Sequence, residues 1–228
     1  MIYVTGDTHG DGRCFHGSVF RHMTKDDYVI VCGDFGYVFH APKASWKEKR
    51  LLKWLDKKPW TTLFVDGNHE NFDRLEELPV EEWHGGKTHL VYGRIRHLMR
   101  GQVFEIDGKK IFTFGGAQSI DREWRVPHES WWERELPNEE EYEEGLKNLE
   151  KNDWKVDYIL THDMPENLRR ERKAQIPILE LHTYLQQIYD KCTFDHWYCG
   201  HYHNNLDLDD KVTLLYGLCI PAGKKARG

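Results

Sequence analysis

The chain has 228 residues, of which 39% are hydrophobic and 31% charged, and a formal net charge of -6. Such a balance supports a sizeable core and argues against disorder. It also disfavours an extended duplex-binding surface, which would be basic, and no apolar run approaches the ~20 residues needed to cross a bilayer.

The predicted elements alternate at first. Ile2 to Thr5 reads as a strand, Asp11 to His22 as a turn and then a helix, and Tyr28 to Cys32 as a buried strand. Ser45 to Lys57 reads as an amphipathic helix capped by Ser45, with Trp46, Leu51, Leu52, Trp54 and Leu55 on one face and Pro59 just past its end. Thr61 to Val65 is the next strand, and this alternation is the mark of parallel crossovers. The middle changes character: His89 to Tyr92, Ile95 to Met99, Gln102 to Ile106 and Lys110 to Phe114 follow one another as short strands. Asp107-Gly108 is a hairpin signal, so this part should be antiparallel.

Residues 116–137 show no regular pattern and hold Arg122, Trp124, Arg125, Trp131 and Trp132. Loops this long are uncommon and often functional. Asn138 to Lys151 reads as a helix with a solvated run of acids near its start, where they complement the helix dipole. Tyr158 to Thr161 is a strand, Pro177 to Lys191 a helix with Pro177 in its first turn, and Trp197 to Cys199 a strand. Leu206 to Leu208 and Val212 to Tyr216 flank Asp209-Asp210 as a hairpin. Without repeats or linkers, residues 1–228 read as a single domain carrying an insertion at about 116–137.

The five cysteines (Cys14, Cys32, Cys192, Cys199 and Cys219) are odd in number and include no CxxC pair. They suit reduced thiols and a cytoplasmic location. No basic segment followed by an apolar one opens the chain, so no secretory leader is expected. The basic runs Lys47 to Arg50, Arg169 to Lys173 and Lys224 to Arg227 read as solvated surface.

Metal-type donors follow five of the predicted strands: Asp7 and His9, Asp34, Asn68 with His69, His162, then His201 and His203. Side chains distant in sequence but all at strand ends can meet at one sheet edge, where open α/β folds bind ligands. Imidazole, carboxylate and one amide suit a pair of divalent transition-metal ions. Singly the pieces say little: Asp7 could cap a turn, and His9 or His203 could be surface histidines. Glycines before Asp34, Asn68 and His201 permit tight turns, and Glu70 reads as the start of the following helix. The other nine histidines receive no role.

In order the clusters read DxH, GD, GNHE, a lone H and GHxH. This set resembles the calcineurin-like metallophosphoesterase superfamily from residue 5 to 203, and five pieces in that order are specific. The resemblance implies a four-layer α/β/β/α sandwich, two mixed β-sheets flanked by helices. It implies that Asp7, His9, Asp34 and His203 hold one ion and that Asp34, Asn68, His162 and His201 hold a second, with Asp34 bridging. The ions implied are two divalent metals, manganese first among them, with iron, zinc, cobalt or nickel as alternatives. Catalysis would fall to Asp34, Asn68 and His69: a metal-bridging hydroxide attacks phosphorus and His69 protonates the leaving group.

The protein-phosphatase branch continues its GD cluster as GDxVDRG, whereas this chain has Gly33-Asp34-Phe35-Gly36-Tyr37-Val38-Phe39. Tyr37 replaces the aspartate expected to orient the catalytic histidine, and the arginine is missing. Asn71-Phe72 after GNHE and the Trp-rich insertion look nearer to small bacterial or phage phosphoesterases. The expected activity is hydrolysis of phosphate mono- or diesters, with weight on diesters or a broad range of small molecules. A nuclease on DNA or RNA is a less favoured alternative, and a metal-free interaction module of the same fold is a third. Arg122, Arg125 and Trp131, with Trp132, are candidate substrate residues on a lid, an arginine to phosphate and an indole to a ring. No membrane partner is expected, and the sequence leaves the oligomeric state open.

Overall fold

The computed structural model describes residues 1–171 and 177–226. One sheet opens with β1 (Ile2–Thr5), β2 (Tyr28–Cys32) and β3 (Thr61–Val65), then adds β4 (Val80–Trp83), β5 (Gly86–Tyr92) and β6 (Ile95–Leu98). The other is built from β7 (Gln102–Ile106), β8 (Lys109–Phe114), β9 (Tyr158–Thr161), β10 (His196–Cys199), β11 (Leu206–Asp207) and β12 (Val212–Leu214). A short β13 (Ile220–Pro221) returns to the first sheet. The strand orders are β13-β1-β2-β3-β6-β5-β4 and β11-β12-β10-β9-β8-β7. Each sheet has a parallel centre with antiparallel strands at its margins.

Side-chain alternation along the central strands builds three layers of core. Ile2, Val4, Ile30, Cys32, Leu63 and Val65 of the first sheet meet Ile111, Leu160 and Tyr198 of the second between the sheets. The intervening residues Tyr3, Val29, Val31 and Phe64 face outward to Leu52 and Leu55 of α1 (Trp46–Asp56). Phe112, Phe114, Ile159 and Trp197 face outward on the other side. There they meet Leu149 of α3 (Glu139–Lys151) and Leu181, Leu185 and Ile188 of α5 (Glu180–Lys191). The shorter α2 (Phe72–Glu76) and α4 (Glu166–Glu171) follow the loops after β3 and β9. Two mixed sheets with flanking helices are thus present, because strands covered on both faces must be apolar throughout.

Local chemistry sets the expected ends. Ser45 Oγ accepts from Glu48 N at 3.1 Å, and Asn138 with Glu141 forms a capping box. Asp107 and Gly108 both have positive φ, as the two-residue hairpin turn requires.

Several elements differ from the sequence expectation. Residues 11–22 form two 3₁₀ turns, Gly12–Phe15 and Ser18–His22. Strand β4 carries two glutamates at the sheet edge and has no apolar run to mark it. Trp46 is exposed; only Leu52 and Leu55 of the predicted apolar face are buried hydrophobics. Pro177 lies before α5, which starts where His182 Nδ1 accepts from Leu179 N at 2.8 Å. Among the acids of α3, Glu141 receives Arg100 and Arg134 instead of solvent. Of the basic runs, Lys47 and Lys224 are exposed but Arg169 is buried; Arg172, Lys173 and Arg227 lie outside the described residues. The five cysteines are free thiols, with Cys32, Cys192 and Cys199 buried.

Candidate metal centre

The donors follow the C-terminal ends of β1, β2, β3, β9 and β10, and the loops there are stitched together. Asp7 N donates to Gly33 O, His9 N to Asp34 O and Gly200 N to His162 O, at 2.8–3.1 Å. Asp7, His9, Asp34, His201 and His203 all have φ between 45° and 70°. Non-glycine residues held in this left-handed region cost about 1–3 kcal/mol each, and such strain clusters at functional sites. Glycine is obligatory beside them: a Cβ on Gly67 would strike Asp34 Oδ1, and one on Gly200 would lie 2.6 Å from Asp7 Oδ2.

Donor atoms of Asp7, His9, Asp34 and His203 all lie within 4.8 Å of one another. His9 Nε2 and His203 Nε2 are 3.0 Å apart, and Asp34 Oδ2 is 3.7 Å from His9 Nε2. On the other side of the same carboxylate, Asp34 Oδ1 is 3.4 Å from His162 Nε2, which is 3.2 Å from Asn68 Oδ1. The His201 ring stands 5.1 Å from that of His162. His162 Nδ1 donates to Cys32 O at 2.8 Å, so its Nε2 faces the pocket. Asp34 therefore sits between two donor sets. Backbone amides hold the carboxylates: His201 N donates to both Asp7 oxygens at 3.0 Å, and His69 N to Asp34 Oδ1 at 2.9 Å.

The protonation pattern is that of a pocket built for cations. Burial, reinforced by Asp34, pushes the Asp7 carboxyl up to about 7. Burial alone would raise Asp34 and lower His162. Their mutual attraction overrides it, holding Asp34 low and lifting His162 to about 10. Burial lowers His9 and His201 to about 4, leaving neutral imidazoles ready to ligate.

His69 stands beside the donors, its ring 5.2 Å from that of His9. Tyr37 plays no part: it is buried with Phe15 and Phe35 on the outer face of the first sheet. Instead Arg125 reaches both ring nitrogens of His69 at 3.3 Å and is itself held by Asp121 at 2.6 Å. Burial lowers the His69 pKa, and Arg125 adds to that.

A cleft of about 900 Å³ opens over Asp34, Asn68, His69, His201 and His203, walled by Gln118 to Glu123, Arg125 and Arg169. Of the candidate substrate residues, Arg122 and Arg125 line this cleft. Trp131 and Trp132 do not line the cleft. Trp131 is half-buried, and Trp132 is buried with its Nε1 donating to Asp73 Oδ2 at 2.7 Å. Trp124 takes the exposed position, at 89%. Glu70 does not begin α2, which Asn71 caps. It is fully buried and accepts from Phe35 N and Gly67 N at 2.6 Å, clamping two donor loops together. Asp163, next to His162, receives Tyr202 Oη at 2.6 Å and His182 Nε2 at 2.9 Å. It braces both imidazole-bearing loops of the second sheet. The dipeptide His162-Asp163 was a visible signal for it; Glu70 had none beyond its place in GNHE.

Candidate cation donors thus gather at one rim of a two-sheet sandwich, under a cleft that arginines help to wall. A sequence profile of the calcineurin-like phosphoesterases matches residues 1–205, and the chain belongs to that family. The chain is also similar to a lariat debranching enzyme of Schizosaccharomyces pombe, 27% identical over 179 residues. That match covers 69% of this chain and 36% of the yeast protein, so the chain spans little more than a third of its relative's length. Among the described residues, no helix is long and apolar enough to cross a membrane.

Proposed function

We propose that the chain hydrolyses phosphate mono- or diesters, diesters foremost, with two divalent cations, manganese first among them. The carrying observation is the position of Asp34, whose two carboxylate oxygens face separate donor sets. Asp7, His9, Asp34 and His203 would hold one ion; Asp34, Asn68, His162 and His201 would hold the other. When bound, such ions would supply positive charge to offset the phosphoryl oxygens and to ease deprotonation of a water. The protein's own groups do the rest. Arg122 and Arg125 line the cleft, and the fork geometry of a guanidinium suits phosphate oxygens. His69, whose ring stands beside that of His9, would protonate the leaving oxygen. The Asp121–Arg125 pair positions that ring in place of the aspartate of the protein-phosphatase branch. The buried free thiols agree with a cytoplasmic setting.

The test is turnover of p-nitrophenyl phosphate and of its bis ester with added manganese. Chelation and Asp34→Asn should each abolish it. Persistent turnover in either case would overturn the reading.

A second reading, a nucleic-acid substrate, is favoured by one feature. Trp124 presents its indole to solvent between the cleft-lining residues Glu123 and Arg125. The debranching relative agrees in kind. Stacking of one base on an aromatic side chain is worth about 1–3 kcal/mol. Trp124→Ala should therefore weaken cleavage of single-stranded RNA or DNA about 5- to 150-fold, and leave the bis ester alone. Wild-type cleavage of the nucleic acid by the Trp124→Ala variant would remove this reading.

A further inference from the structure

The candidate donor Asn68 is hydrogen-bonded from the insertion. Asn68 Nδ2 donates to Ser119 Oγ at 3.1 Å, and Ser119 Oγ donates to Glu135 Oε2 at 2.6 Å. Ser119 N donates to the other carboxylate oxygen, Oε1, at 2.9 Å. Ser119 and Glu135 are almost wholly buried, so water does not compete for these bonds. Glu135 is fixed through its own backbone: its carbonyl accepts from Ala117 N at 3.2 Å and from Arg100 Nη2 at 3.3 Å.

The polarity of this chain runs one way. An ionised carboxylate only accepts, so the single hydroxyl proton of Ser119 goes to Glu135. Ser119 Oγ then has only lone pairs left, and the group it meets on Asn68 must be the amide NH₂. The amide oxygen is thereby turned to the opposite side, where it lies 3.2 Å from His162 Nε2. The two ends of an amide are nearly isosteric, and a free Asn could present either. An NH₂ group facing a cation cannot ligate it. Burial raises the Glu135 pKa, while its two bonds from Ser119 oppose the rise.

We infer that Glu135 is a positioning residue for Asn68, acting through Ser119 as a directional hydrogen-bond relay that sets which end of the amide reaches the second ion. The same relay ties the cleft wall, which includes Ser119, to the cation site. Gln at 135 keeps the size of the side chain but carries an NH₂ group. That group can donate to Ser119 Oγ, freeing the hydroxyl proton for Asn68 Oδ1 and allowing the amide to turn round.

The inference rests on the two-ion reading, and manganese titration by calorimetry separates the two. Wild-type protein should bind two equivalents; fewer than two would defeat the two-ion reading itself. With two bound, Glu135→Gln should weaken one of them about 10- to 100-fold, the usual effect of losing an outer partner of a ligand. The other ion should bind as before. Ser119→Ala should reproduce the loss and serves if the Gln variant fails to fold. In an Asn68→Ala background, Glu135→Gln should have no additional effect. The relay is overturned by wild-type affinities at both ions in both variants, by equal weakening of both ions, or by a loss that persists without Asn68.

Discussion

Replacing Arg100 by Met would leave the Asp66 carboxylate buried without its cation. Asp66 Oδ2 accepts from Arg100 Nε at 2.9 Å and from Nη2 at 2.6 Å, and Oδ1 faces His97 Nε2 at 3.0 Å. Arg100 also reaches Glu141 at 3.0 Å and the Arg134 carbonyl at 2.8 Å, joining the end of β3 to the insertion and α3. Breaking a buried ion pair from one side costs about 3–5 kcal/mol, because an uncompensated charge remains. In a chain of this size each kcal/mol moves the melting temperature by about 2–4 °C, so Arg100→Met should lower it by about 6–20 °C. Removing both charges is far milder. Asp66→Asn in the Arg100→Met background should recover most of the loss. Burial alone would raise the Asp66 pKa; Arg100, then His97, overrides it and holds the carboxyl below the ordinary range. The pair's contribution is therefore fully present above the ordinary carboxylate pKa and is lost as pH falls below it. The penalty of Arg100→Met should accordingly be largest near neutrality. Urea unfolding of the metal-free proteins at pH 7 measures it. A cost under about 1 kcal/mol, or a double variant no better than Arg100→Met, would refute this reasoning.

The remaining expectations concern the site. Gly67→Ala places a methyl on Asp34 Oδ1 and 2.8 Å from His162 Nε2. Overpacking of this kind costs about 1–3 kcal/mol, so manganese should bind about 5- to 150-fold more weakly by calorimetry; unchanged binding would contradict the close approach. Arg125→Ala removes the guanidinium at His69, and a charged hydrogen bond is worth about 1.5–3 kcal/mol. It should lower kcat/KM about 10- to 150-fold on the best substrate. Unaltered kcat and KM would end the role given to that arginine. Cation binding must displace protons from His162, raised to about 10, and in part from Asp7, at about 7. Manganese affinity should thus rise with pH through neutrality, and calorimetry in buffers of different ionisation enthalpy should detect proton release. A pH-independent affinity with no proton release would count against the donor assignment.

Much of the fold is legible in the amino-acid sequence. The central strands Tyr28–Cys32, Thr61–Val65 and Tyr158–Thr161 announce themselves because burial on both faces demands unbroken apolar residues. The candidate donors stand out in the sequence because each sits in a short turn directly after such a strand. Positive φ or close packing leaves those turns little choice of residue. Elements governed by their surroundings were hidden. Strand β4 exists because β5 offers it an edge, and Trp46 is exposed although it shares a helix with Leu52 and Leu55. The partners that orient the site were hidden for the same reason. Glu70 spans from Phe35 to Gly67, Glu135 reaches Asn68 through Ser119, and Arg125 contacts the His69 ring from the insertion. Local sequence by itself determined which side chains could ligate cations, because ligand type and turn geometry are short-range properties. Only the tertiary structure decided how those side chains are aimed, because the hydrogen bonds that aim them join residues that meet only when both sheets are packed.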